Sequence, residues 1–229
     1  MYPYYFDWTY ILIIPGLLLG IWAQYQVNSA FSRYSRVQTR LGRPACEVVS
    51  NLLQRNGNNQ VVVQRVSGNL TDFYDPSKET LNLSENVYAS SSVAALGVAA
   101  HEAGHAMQKR DNYAPLKFRS AAVPVVNIGS NMAMPLFVLG LIFSWKPLVT
   151  LGIAAFSLSV IFALITLPVE FDASRRAVRM LQDGGYVTAD ELTGVQKVLR
   201  AAALTYVASA VTSLLSLLRL ILIARRRDD

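Results

Sequence analysis

Four long apolar stretches, three of them without any charge, constrain this chain more than any other feature of its sequence. The first, Trp8 to Ala23 (WTYILIIPGLLLGIWA), runs 16 residues with no charged side chain. As a helix it would span ~24 Å, short for a bilayer unless its flanks contribute. Trp8 and Tyr10 at one end, and Trp22 and Tyr25 at the other, supply interfacial aromatic belts. MYPYYFDW lacks a basic n-region and no A-x-A site follows the run, so an uncleaved anchor is expected. A second run covers Ser120 to Trp145 and a third Leu148 to Val169, with only Lys146 and Pro147 between their apolar bodies. They should form a tight helical hairpin. The fourth, Ala201 to Ala224, carries Thr205, Ser209, Thr212, Ser216 and Arg219, which fall on one helical stripe. That stripe reads either as helix–helix packing through small polar residues or as a polar wall facing a substrate cavity.

Composition agrees with a membrane protein. Hydrophobic residues make up 52% of the 229 and charged residues 16%, against about 25% charged in an ordinary soluble domain. So much apolar side chain excludes disorder as the dominant state. A single cysteine, Cys46, excludes a disulfide scaffold. The net charge of +6 comes from basic residues clustered beside apolar runs, which assigns it to anionic headgroups of the lipid bilayer and not to nucleic acid.

Loop charges set an expected orientation. Nothing basic precedes the first run, whereas Arg33, Arg36, Arg40 and Arg43 follow it. The positive-inside rule then puts the N-terminus outside and residues 26–117 in the cytoplasm. The hairpin returns the chain to the cytoplasm at Glu170, where Arg175, Arg176 and Arg179 agree. Alternation would next export Arg225, Arg226 and Arg227, against the same rule. Either the fourth run does not fully cross, or its tail is an exception.

Residues 26–117 have the pattern of a small α+β part. PACEVVSNLLQRN (44–56) has helical apolar spacing, with Pro44 suited to the first turn and Gly57 to the stop. QVVVQRV (60–66) is a β-branched strand, and NLTDFYDPSKETLNLS (69–84) holds two extended pieces about Asp75-Pro76-Ser77-Lys78, a hairpin signal. A helix rich in alanine is expected from about Ser91 to Lys109.

That helix contains both histidines of the chain, in HEAGH. His101 and His105 lie four residues apart, on one helical face, so both imidazoles can converge on one metal ion. Glu102 sits where it can reach a water on that metal, completing the H-E-x-x-H zinc-hydrolase pattern. Three protein ligands plus water make a catalytic zinc site, in which Glu102 serves as general base for attack on a scissile carbonyl. Gly104 is a poor helix former, which suggests close approach of another backbone.

No third histidine exists, so a carboxylate must complete the site. Downstream candidates are Asp111, Glu170, Asp172, Asp183, Asp190 and Glu191. Pro168 can start a helix through PVEFDASRRAVRML, on which Asp172 has Arg175 and Arg176 as partners at i+3 and i+4. Glu170 instead has Ala173, Ser174 and Ala177 on its face, small residues that permit close packing. Glu170 is the favoured ligand. Tyr206, Arg175 and Arg176 are candidates for stabilising an oxyanion, and spacing does not choose among them.

VAAHEAGHAMQ, the preceding FYDPSKETLNLSENVY and the later PVEFDASRRA together resemble the YugP-type bacterial membrane zinc metallopeptidases. More distantly they are similar to the gluzincins of the CAAX-prenyl-protease and HtpX-like group. The resemblance spans nearly the whole chain. In the distant relatives the glutamate ligand is followed four residues later by aspartate; here Glu170 and Ala173 match, but Ser174 stands at the aspartate position. The resemblance implies peptidase chemistry without a defined substrate.

The resulting expectation is a mainly α membrane protein, with three to four transmembrane helices and a small cytoplasmic zincin-like α+β part carrying the HExxH helix. Its divisions would be an N-terminal anchor (1–25), the zincin-like segment (26–117), a transmembrane hairpin (118–169), a cytoplasmic helical segment with the third ligand (170–200), and an apolar helix with a basic tail (201–229). Functionally it reads as a zinc endopeptidase, one Zn²⁺ per chain, in the bacterial plasma membrane with its site facing the cytoplasm. Protein or peptide substrates and the lipid bilayer are its expected partners, nucleic acid is not, and a homo-oligomer remains open. An intramembrane site is disfavoured because Lys109, Arg110 and Asp111 follow HEAGH closely. The rival class is a non-catalytic channel or assembly subunit with a structural metal site, which gives no reason for Glu102 to stand between metal-spaced histidines.

Overall fold

The computed structural model describes residues 8–226, with only the backbone of Trp8. The residues before Trp8, and Arg227, Asp228 and Asp229 of the basic tail, lie outside them. The described chain is mainly helical: α1 (Ile13–Tyr34), α2 (Ala45–Arg55), α3 (Glu85–Tyr88), α4 (Val93–Arg110), α5 (Ala114–Ile142), α6 (Lys146–Asp183) and α7 (Ala189–Arg225). A small sheet comprises β1 (Val62–Val66), β2 (Phe73–Asp75) and β3 (Thr80–Ser84). Among the described residues, four helical stretches are long and apolar enough to cross a membrane: Thr9–Tyr34, Ala114–Ile142, Lys146–Asp183 and Ala189–Arg225.

Two compact units emerge from the packing. Of the described residues, the first comprises 8–23, 118–167 and 205–226. Glycines let its helices meet at backbone distance. A Cβ added at Gly152 would lie 2.6 Å from the Phe137 amide nitrogen, so α5 and α6 touch without an intervening side chain. Arg219, an ion in an apolar helix, donates to Thr9 Oγ1 at 3.2 Å and lies 4.0 Å from the centre of the Tyr10 ring. Such partners offset the cost of its charge.

The second unit comprises residues 24–117 and 168–204. Its core forms around α4, whose Ala95, Ala99, Ala100, Ala103 and Ala106 are all buried. Small side chains on so many faces let neighbours approach from several directions. Leu52 and Leu53 of α2, Leu81 and Leu83 of β3, Ala177 and Leu181 of α6, and Val195 and Leu199 of α7 join the same cluster. In α2 the buried positions 45, 48, 49, 52 and 53 repeat with the helical period expected from the sequence. Ser92 caps α4 by accepting from the Ala95 amide at 3.2 Å. Thr188 and Glu191 form a reciprocal capping box at the start of α7.

The sheet has the order β1-β3-β2. β2 and β3 are the expected hairpin, with Tyr74 opposite Leu81. At its turn Asp75 Oδ1 accepts from the Ser77 amide and hydroxyl, an Asx-type closure. β1 pairs parallel with β3, Val62 opposite Thr80, a connection that periodicity could not foretell.

Pro168 requires a correction. It does not start a helix; it lies inside α6, which continues unbroken from Lys146 to Asp183. Proline removes one amide donor, but packing of neighbouring helices can hold the helix through it. Likewise α5 begins at Ala114, six residues ahead of the expected run, and passes through Pro124 and Pro135. α7 is continuous through residues 200 and 201, and its described length includes the whole fourth apolar run.

Candidate metal centre

HEAGH lies in the interior of α4, its first residue nine positions past the Ser92 cap and its last thirteen. The helical period puts His101 and His105 on one face, with ring centroids 4.8 Å apart. Opposite that face runs the α6 segment carrying Glu170. A Cβ at Gly104 would meet the Ala173 carbonyl, with the carbonyl carbon only 3.0 Å away. Glycine at 104 therefore sets how closely α4 and α6 approach, and Ala173 and Ala177, both fully buried, keep the α6 side equally flat.

That approach brings three side chains to one point. Glu170 Oε2 lies 3.1 Å from His101 Nε2 and 3.6 Å from His105 Nε2. One ligand atom from each of the three can be chosen so that all lie within 4.8 Å of one another. Glu170 is 2% exposed, and the two imidazoles 14% and 12%, so the group is enclosed yet reachable.

The far nitrogens of both rings are held as well. His105 Nδ1 lies 3.0 Å from Gln108 Oε1. Gln108 Nε2 donates to the Val169 carbonyl at 2.8 Å and to Asp172 Oδ2 at 3.0 Å. Both of those groups accept only, which fixes the amide orientation and leaves Oε1 to accept from His105 Nδ1–H. The Nε2 lone pair of His105 is thus directed at the Glu170 carboxylate. His101 Nδ1 lies 3.1 Å from Ser174 Oγ, which can accept in the same way. With the proton likewise on Nδ1 of His101, both Nε2 lone pairs would face the buried Glu170 carboxylate, an arrangement that a bound cation would satisfy. Two imidazole nitrogens and a carboxylate oxygen match the donor set of a zinc site with an open position.

Glu102 points along the same face. Its Oε2 accepts from the Tyr74 amide of β2 at 2.9 Å, and Oε1 has no protein hydrogen bond among the described residues. Burial raises the Glu102 carboxyl above its ordinary range, against the pull of His105 and His101, with Glu170 and Asp72 adding to the rise. Burial also raises Asp72, against hydrogen bonds from Ser84 to its carboxylate.

The other sequence candidates fall elsewhere. Asp172 binds Arg176 at 2.6 Å and Arg175 at 3.5 Å, as the helical spacing predicts. Arg176 also pairs with Asp111, so that guanidinium is committed to two carboxylates. Asp183 and Asp190 are exposed, and Glu191 is engaged in its capping box. Tyr206 belongs to the other compact unit. Sequence reasoning missed Gln108 and Ser174 as partners of the histidines, although Gln108 sits at i+3 from His105 on the same helical face.

A family model described as "Putative neutral zinc metallopeptidase" matches residues 9–225. A protein of Bacillus subtilis (strain 168) named "Putative membrane protease YugP" is 46% identical over 212 residues, 93% of this chain and 94% of that relative. No solved structure matches the chain.

Proposed function

Because the chain belongs to the family described as "Putative neutral zinc metallopeptidase", we propose that it is a membrane-embedded zinc endopeptidase that hydrolyses protein substrates at the cytoplasmic membrane face. His101, His105 and Glu170 hold one Zn²⁺ per chain through Nε2, Nε2 and a carboxylate oxygen. The observation that carries this reading is the convergence of those three atoms while Gln108 keeps the His105 proton on Nδ1. When bound, zinc supplies Lewis acidity, lowering the pKa of a coordinated water and polarising the scissile carbonyl.

Glu102 acts as the general base. The Tyr74 amide holds its Oε2, leaving Oε1 to take the proton of the attacking water and return it to the leaving amine. β2 is an edge strand, and the N–H of Tyr74 faces away from β3 toward Glu102. The Tyr74 carbonyl projects on the same side, since both main-chain groups of a strand residue do. An extended substrate pairing with that edge lies beside the catalytic carboxylate.

The test is Glu102→Gln. Zinc, measured by elemental analysis, should remain at one equivalent while turnover on an unfolded protein falls about 10²–10⁴-fold. A variant that keeps half the wild-type activity sinks the general-base assignment. Zinc without hydrolysis in the wild-type protein would favour a structural metal site instead.

The chain resides in the bacterial plasma membrane as a multi-pass protein, its site facing the cytoplasm. The arginines at 33–43 and 175–179 support that orientation. Cysteines placed at 109 or 179, after Cys46 is removed, should resist an impermeant thiol reagent added outside intact cells. Efficient labelling from outside reverses the topology.

A further inference from the structure

The second unit contains a cavity of about 370 Å³ that the metal centre does not use. It lies among the last turns of α2 and α4 and the final two turns of α6. Four guanidinium groups line it, those of Arg55, Arg110, Arg176 and Arg179, against one carboxylate, Asp183. Buried Leu52, Met107 and Met180 complete an apolar wall.

The four cations are not equally satisfied. Arg110 pairs with Asp111 at 2.7 Å, and Arg176 with Asp111 and Asp172. Those two need no further anion. Arg55 donates to the Gly184 carbonyl at 3.3 Å and lies 5.6 Å over the Tyr186 ring, contacts that hold the group without cancelling its charge. Arg179 has no hydrogen bond or ion pair among the described residues, and Asp183 pairs with none of the four. Cations do collect at helix C-termini to answer exposed carbonyls, and Arg55 does so here. Arg179 does not, although it shares the cavity.

We infer that this cavity is a binding site for a phosphate oxyanion, with Arg55 and Arg179 as its ligands. Guanidinium forks match phosphate oxygens in pairs, and two forks that lack a carboxylate leave that match open. The volume exceeds a bare phosphate, and the Leu52–Met107–Met180 wall suits the organic part of a phosphate ester. A phospholipid headgroup and a soluble phosphate share this chemistry. The inference does not depend on the metal at His101 and His105.

The experiment uses the full, zinc-loaded chain in a phosphate-free maltoside detergent. Binding is followed by calorimetry with inorganic phosphate in one arm and dispersed short-chain phosphatidylglycerol in the other. Wild type should show saturable binding of one equivalent in at least one arm. Arg55→Gln/Arg179→Gln should weaken it at least tenfold, with Arg179→Gln alone between the two. Both side chains are exposed, and an unchanged thermal midpoint verifies folding. Arg225→Gln/Arg226→Gln removes the same charge elsewhere and should leave binding unchanged. Saturation by phosphate points to a soluble ligand, and saturation by the lipid alone to a headgroup; either supports the site. No saturation in either arm overturns it, as does equal weakening by the two double variants, which means diffuse attraction.

Discussion

Gln108 holds His105 from outside the metal site: its amide oxygen lies 3.0 Å from Nδ1 while its nitrogen is shared between Val169 and Asp172. The side chain is fully buried, and every polar atom of its amide is used. Replacing Gln108 by Leu removes the acceptor that selects the His105 tautomer. Such outer contacts are worth about 10–100-fold in metal affinity, and a loss of that size is expected here. Gln108→Glu keeps an acceptor for Nδ1 but sets a carboxylate oxygen against the Val169 carbonyl and Asp172, so it should not restore the affinity. Competition with a fluorescent chelator measures both, and equal affinities in wild type and Gln108→Leu remove the role.

Glu170 and Asp172 divide two tasks on one helix. Glu170→Ala should lose zinc and activity together, because it takes away one of three converging atoms. Asp172→Ala should retain substantial zinc, since Asp172 reaches His105 only through Gln108. The reverse pattern in elemental analysis, zinc kept in the first variant and lost in the second, would assign the ligand to Asp172.

Ser174 gives the corresponding test at His101. Ser174→Ala removes the oxygen 3.1 Å from Nδ1 and should weaken zinc by up to about tenfold. Ser174→Asp supplies a stronger acceptor at the same place and should restore or exceed wild-type affinity. A Ser174→Ala variant as tight as wild type shows that the contact is incidental.

Acid should act on Asp111. Burial alone would raise its carboxyl, but hydrogen bonds and charge from Arg176 and Arg110 outweigh that and hold it below its ordinary value. A depressed folded-state pKa stabilises above the unfolded value of about 3.8 and is lost as pH falls through the folded one. The thermal midpoint of metal-free protein should therefore exceed that of Asp111→Asn near neutral pH, and the gap should close below pH ~4. The contribution is small because the side chain is partly exposed. A gap that is independent of pH rules out the carboxylate as its source.

Local patterns were legible in the sequence, and long-range partners were not. HEAGH, the α2 periodicity, the hairpin about Asp75 and the apolar runs depend on neighbours within a few residues, so spacing reveals them. Glu170 was reachable by a different route: with histidines exhausted, the small flank of Ala173, Ser174 and Ala177 marked one carboxylate as able to approach α4. The structure brings that carboxylate to 3.1 Å from His101. Ser174 was not legible as a histidine partner because it lies on another helix, 73 residues from His101, whereas Gln108 sits at i+3 from His105 but owes its amide orientation to Val169 and Asp172 of α6. Pro168 misled for the opposite reason. Its local preference for a helix start gave way to packing along α6, where Val169, Ala173 and Ala177 are fully buried.

The contact between Gly104 and Ala173 bears on how the pattern itself should be read. H-E-x-x-H leaves two letters free, since the chemistry names only the histidines and the glutamate. Here the second free letter is not free. A side chain at 104 would collide with the α6 backbone, so sterics specify that position as firmly as the proposed coordination would specify its neighbours. The information in HEAGH therefore has two sources, the chemistry proposed for 101, 102 and 105 and the shape required at 104. A five-letter match that carries a bulky residue in the fourth place describes a different helix pair.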